Sequence, residues 1–137
     1  VDNLNELKER FEHVASATND AIWEWENSTN KVWGNEAYLK LLEDNPLGLS
    51  NFDNFVSKVH PDDINGLFEG FNQIVDTKST IIKGEFRLKG SNGDWITFLN
   101  RALVIYDNNN LPLKVVGIMQ DITLEKENQN KIIKEIN

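Results

Sequence analysis

Between residues 81 and 122 the chain alternates with a period of two. Ile82, Gly84, Phe86 and Leu88 are interleaved with Lys83, Glu85, Arg87 and Lys89. That spacing puts the apolar set on one face of a strand and the charged set on the other. Gly90-Ser91-Asn92-Gly93 supplies a turn, and residues 95–106 form a long, mostly apolar strand. Asp107-Asn108-Asn109-Asn110 supplies a second turn, and residues 113–122 form a third strand that begins just after Pro112. Consecutive strands joined by tight turns run antiparallel, because a parallel crossover needs a dozen or more residues. The long middle strand is mostly apolar, so it is expected to be covered on both faces.

The preceding segments place helices between this meander and an earlier hairpin. Ala21-Ile22-Trp23-Glu24-Trp25-Glu26 alternates as a strand, Asn27-Ser28-Thr29-Asn30 is a turn, and Lys31-Val32-Trp33 is a short partner strand. Asn35 is placed to cap a helix carrying Ala37, Tyr38, Leu41 and Leu42, which Pro46 and Gly48 close. Phe52, Phe55, Val56 and Val59 predict a short helix after Ser50 or Asn51. A longer one starts at His60-Pro61-Asp62-Asp63 and runs through Ile64, Leu67, Phe68, Phe71, Ile74 and Val75 to about Lys78. At the N-terminus, Leu4, Leu7, Phe11 and Val14 form one stripe of an amphipathic helix over residues 1–17. From Thr123 the chain is polar and helical. Strand runs separated by a helical block predict an α+β fold with an antiparallel sheet.

Charge and composition narrow the function classes. The 137 residues carry a net charge of −8. Residues 1–76 hold fifteen acidic and five basic side chains, and residues 77–137 hold seven and nine. The charge therefore belongs to the solvated helical half, and no basic cluster offers itself to nucleic acid. The chain has no cysteine. Disulfides, thiolate zinc sites, iron–sulfur clusters, cysteine nucleophiles and thiol-linked chromophores are thereby excluded. No apolar run is long enough to cross a bilayer and no signal peptide is visible, so no direct membrane insertion is expected. The chain begins at Val1, and Met119 is its single methionine. We therefore expect one module of a longer chain.

Five elements, in order, resemble a known family. They are Trp23-Glu24-Trp25-Glu26, His60-Pro61-Asp62-Asp63, Gly93-Asp94-Trp95, Val116-Gly117-Ile118 and Asp121-Ile122-Thr123. Each is weak alone. Across residues 18–123 they resemble a PAS domain of the subgroup with a Trp-rich first strand. The resemblance implies a five-stranded antiparallel sheet of order 2-1-5-4-3, with helices packed on one face and flanking helices at both ends. It implies a non-catalytic, cytoplasmic sensor or interaction module. Its effector, such as a histidine kinase or a diguanylate cyclase, would follow in the same chain, with residues 124–137 starting the signalling helix. Asp121 and Thr123 are expected to pin the junction between sheet and helix.

The family often keeps a cofactor between sheet and helices. Here the flavin and yellow-chromophore chemistries that use a cysteine are excluded. Haem-binding relatives carry a histidine inside the longest helix, whereas His60 precedes it, so haem is not expected. Flavin held without a covalent photocycle has no positive signal. No cofactor is predicted. By resemblance, Trp23, Trp25, Ile96, Phe98, Asn100, Val115, Gly117 and Met119 face inward, with Phe86 and Leu88 on one face of their strand. Phe55, Val59, Phe68 and Phe71 would close the lid. These positions read either as plain core or as the lining for a small, largely apolar ligand, with Asn100 as its polar anchor. Two inward indoles leave little space.

Several features have structural explanations. His60, Asp62 and Asp63 read as a helix start rather than a metal site, because no second ligand cluster has suitable spacing. His13 reads as a solvated helix residue. Gly90-Ser91-Asn92-Gly93 is a hairpin turn, not a phosphate cradle. The stripe of Leu4, Leu7, Phe11 and Val14 is expected to pair with its copy in a homodimer. Two other readings remain open. One is a ligand-free dimerisation or relay module. The other is a small cone-shaped α+β enzyme, for which Asp121 and Glu26 are the acids to nominate.

Overall fold

The computed structural model describes residues 6, 9, 10, 13, 17–42 and 51–136. The stripe residues Leu4, Leu7, Phe11 and Val14 lie outside the described residues, as do Pro46 and Gly48. Five strands form one sheet: β1 Ala21–Glu26, β2 Lys31–Gly34, β3 Ile81–Lys89, β4 Trp95–Tyr106 and β5 Pro112–Asp121. Their order is β2-β1-β5-β4-β3, and every pairing is antiparallel. Among the described residues, the helices that follow β1 are α1 Glu36–Leu42, α2 Phe52–Lys58, α3 Pro61–Asp76 and α4 Thr123–Ile136.

Local chemistry sets the helix boundaries. Asn35 Oδ1 accepts from the Tyr38 backbone N–H at 3.0 Å and from that of Ile22 at 3.1 Å, so one amide caps α1 and ties it to β1. Asn51 Oδ1 caps α2 by accepting from Asn54 N–H at 2.8 Å. Pro61 opens α3, and His60 Nδ1 accepts from Asp62 N–H at 3.1 Å. The helix stops at Asp76 rather than Lys78. Lys78 adopts a left-handed φ of 56°, while Ser79 N–H returns to Ile74 O (3.0 Å) and Lys78 N–H to Val75 O (3.1 Å). Those two bonds make a Schellman stop with lysine where glycine is usual.

The core fills one side of the sheet. Phe86, Leu88, Phe98 and Met119 pack with Tyr38 and Leu42 of α1, Phe55 of α2 and Val59. Leu88 is fully buried. The opposite face of β4 corrects the expectation of cover on both sides. Phe98, Asn100, Ala102 and Val104 are buried, but Trp95, Arg101, Leu103 and Ile105 are exposed. The three inner-face helices serve only one side, so an apolar strand run here does not report two covered faces.

Candidate functional site

A cavity of about 580 Å³ lies between α3 and the sheet. Its size falls within the usual range for small-molecule sites, roughly 300–1,000 Å³. The cavity exists because α3 spans the sheet without sinking into it: none of its residues is fully buried. Its ends are fastened instead. Near its start, Asp63 accepts from the Arg87 backbone N–H (2.8 Å), Nε (2.9 Å) and Nη2 (2.9 Å). Beyond its end, the Tyr106 hydroxyl donates to Ser79 O at 2.6 Å. Arg87 holds the Asp63 carboxyl below its ordinary range, chiefly through the side-chain hydrogen bonds, against an opposing effect of burial.

The walls are mostly aromatic. Phe52 lies 5.9 Å from Trp25, from Phe55 and from Phe68, while Phe71 meets Trp25 edge-on at 6.1 Å and Phe86 meets Phe55 edge-on at 5.6 Å. Each indole is anchored by its N–H. Trp25 Nε1 donates to Asn30 Oδ1 at 2.9 Å, and Trp23 Nε1 donates to Asn100 Oδ1 at 3.1 Å. Trp23 also lies against Gly117, its cross-strand neighbour. A Cβ at 117 would sit 2.6 Å from the indole ring, so glycine is what lets the ring lie flat on β5. Held this way, the indoles border the space rather than fill it, which corrects the expectation that they leave little room.

Of the residues expected to line the hollow, Trp23, Trp25, Phe55, Phe68, Phe71, Phe86, Asn100 and Val115 do so. Val59, Leu88, Ile96, Phe98 and Met119 do not, and the first three are joined by sheet pairing. Val59 bridges to Leu88, Leu88 pairs with Ile96, and Phe98 pairs with Phe86. With Met119, they belong to the solid part of the core against α1 and α2. Inward orientation on a strand is therefore not enough; position along the strand decides between core and cavity. The sequence reading missed Phe52, Leu67 and Ile82 as lining, along with three glycines. Gly66 and Gly70 of α3 and Gly84 of β3 all line the cavity, and a Cβ on any of them would meet no atom within 4 Å. The four-residue spacing of Gly66 and Gly70 on one helix face was the available signal.

The junction residues lie away from the cavity. Asp121 Oδ1 accepts from Thr123 N–H (2.9 Å) and from its hydroxyl (2.7 Å). Thr123 Oγ1 in turn accepts from Thr97 N–H at 3.0 Å, and Ile122 N–H donates to Thr97 O at 2.8 Å. The start of α4 is thus bolted to β4. A further link reaches β3, where Glu85 at the cavity rim pairs with Lys126 of α4 at 3.0 Å. Glu26, the other acid nominated for an enzyme, is exposed and accepts from Ser28 and Thr29 in its own turn. Among the described residues, no helix is long and apolar enough to cross a membrane.

Comparison with known proteins adds a family and a fold. A family described as PAS fold matches residues 31–119. No curated protein matches the chain. Among solved structures, a sensory box histidine kinase/response regulator from Burkholderia thailandensis aligns over 92% of this chain and 94% of that one. Its TM-score is 0.77, at 18% identity. The N-terminal domain of a diguanylate cyclase with PAS/PAC sensor from Marinobacter aquaeolei aligns over 78% and 98%, with TM-score 0.67 and 16% identity. The PAS domain of a protein from Colwellia psychrerythraea aligns over 85% and 97%, with TM-score 0.65 and 19% identity.

Proposed function

This chain belongs to the PAS fold family, and from that premise we propose that it is a sensory module. It relays the state of its cavity, or of a bound partner, to a downstream effector through α4. The observation that carries this reading is the position of β3. Two residues apart on that strand, Arg87 holds the lid helix α3 through Asp63, and Glu85 holds the exit helix α4 through Lys126. A ligand that moves α3 pulls on the strand that also holds α4. The module itself performs no catalysis in this reading. It acts as a cytoplasmic homodimer through its flanking helices, with a histidine kinase or diguanylate cyclase as effector in the same chain.

Amide hydrogen exchange of α4 tests the coupling. Gly70→Leu places a side chain into open cavity, and Gly70→Ala makes the same change of backbone freedom without filling it. We expect exchange at Lys126, whose N–H bonds to Ile122 O, to differ between the two variants. That difference should disappear when Glu85→Gln is added, which removes the charge that pairs with Lys126. Identical exchange in Gly70→Leu and Gly70→Ala would sink the relay.

A further inference from the structure

One polar group in the cavity wall is not used up by the fold. Asn100 is only 7% exposed and lines the cavity. Its Oδ1 accepts from Trp23 Nε1. An indole N–H can only donate, so the amide has one orientation, with the oxygen toward Trp23 and Nδ2 turned away. That Nδ2 carries two donors and makes no hydrogen bond to any described residue. The donor opens onto the cavity, where a ligand oxygen can accept from it in place of water.

The remaining lining restricts the ligand further. Around Asn100 the wall is aromatic and aliphatic, including Trp25, Phe55, Phe71 and Phe86. Charged residues line it as well: Asp63 is neutralised by Arg87 and Glu85 by Lys126, while Asp62 stands exposed at the rim and adds negative charge. The cation left is Lys83, which is exposed. An anion drawn inside would lose water and find no buried positive partner. Gly66, Gly70 and Gly84 add no side chain to the wall, and a Cβ on any of them would meet no atom within 4 Å.

Building on the sensor reading, we propose that the cavity takes an uncharged, largely aromatic small molecule that presents a carbonyl-type acceptor to Asn100 Nδ2. Asn100 selects the ligand and sets its orientation. Trp23 fixes Asn100, and Gly117 fixes Trp23.

The test titrates the wild-type chain with 2-acetylnaphthalene, 2-ethylnaphthalene and 2-naphthoate, read by tryptophan fluorescence and by calorimetry. These share one ring system and differ in the acceptor and the charge. The ketone should bind about tenfold tighter than the hydrocarbon, the worth of one net hydrogen bond. It should also bind tighter than the carboxylate, and Asn100→Leu should erase its advantage over the hydrocarbon. Equal binding of ketone and hydrocarbon, or tightest binding of the naphthoate, overturns the ligand class and leaves the cavity a receptor. Binding of none of the three overturns the receptor reading together with the ligand class. Should Asn100→Leu fail to fold, the ranking on the wild-type chain decides by itself.

Discussion

Replacing Asp63 by asparagine keeps the shape of the side chain and removes its charge. In the wild type, Oδ2 accepts from Arg87 N–H and Nε, and Oδ1 accepts from Nη2. An asparagine oxygen can keep the first two, without the charge of the carboxylate. Its NH₂ then faces Nη2, donor against donor, and the third bond is lost. Charge-assisted hydrogen bonds contribute roughly 1.5–3 kcal/mol, against about 1 for neutral ones. The Arg87 side chain is 38% exposed and that of Asp63 20%, so solvent screening reduces the loss to about 1–2 kcal/mol. Thermal unfolding should then shift down by about 4–8 °C. The pH dependence is the sharper test. Arg87 lowers the folded pKa of Asp63 below the ordinary 3.8, so the unfolded chain holds this proton more tightly. The stabilisation is complete above the unfolded value, from about pH 5 upward, and is lost as pH falls through the folded value. The gap in urea stability between wild type and Asp63→Asn should be constant from pH 7 to about 5 and close below 3.8. A gap as large at pH 3 as at pH 7, or no gap at either, refutes the reasoning.

Two further predictions concern the core and the cavity wall. Leu88→Ala empties a site with 0% exposure and should cost about 2–5 kcal/mol in denaturant unfolding, with the sheet still formed by circular dichroism; a cost below about 1 kcal/mol would contradict the packing described. Gly117→Ala forces the Trp23 indole off β5 and breaks its bond to Asn100. It should destabilise by about 1–3 kcal/mol and shift the tryptophan fluorescence, and an unchanged melting curve and spectrum would count against the close approach.

The strands were legible because alternation is a local property. Phe86 and Leu88 announce the inner face of β3 without reference to anything else in the chain. The cap of α1 was legible for the same reason, since Asn35 acts within three residues of itself; for α2 the sequence left Ser50 and Asn51 open, and Asn51 is the cap. The end of α3 was less so, because a lysine rather than a glycine takes the left-handed position there. The outer face of β4 misled, since the apolar character of Leu103 and Ile105 does not say whether anything covers them. The cavity was legible only in part. A hollow depends on which side chains are missing and on how high a helix rides, and Gly66, Gly70 and Gly84 contribute by having nothing to place there. The Asp63–Arg87 latch joins residues far apart in sequence, and no short-range pattern announces it.

The lid helix carries its own energetic consequence. A 16-residue helix with no fully buried side chain meets the sheet only through partly buried residues, Ile64, Leu67, Phe71 and Ile74 among them. Its opening is a local event whose free energy is a fraction of the global one. A molecule held under α3 would leave by local opening of that helix, with release of the Asp63 latch and of the Phe68 and Phe71 ring contacts, while the five strands stay paired. Its residence time would then follow that local opening rather than the stability of the whole fold.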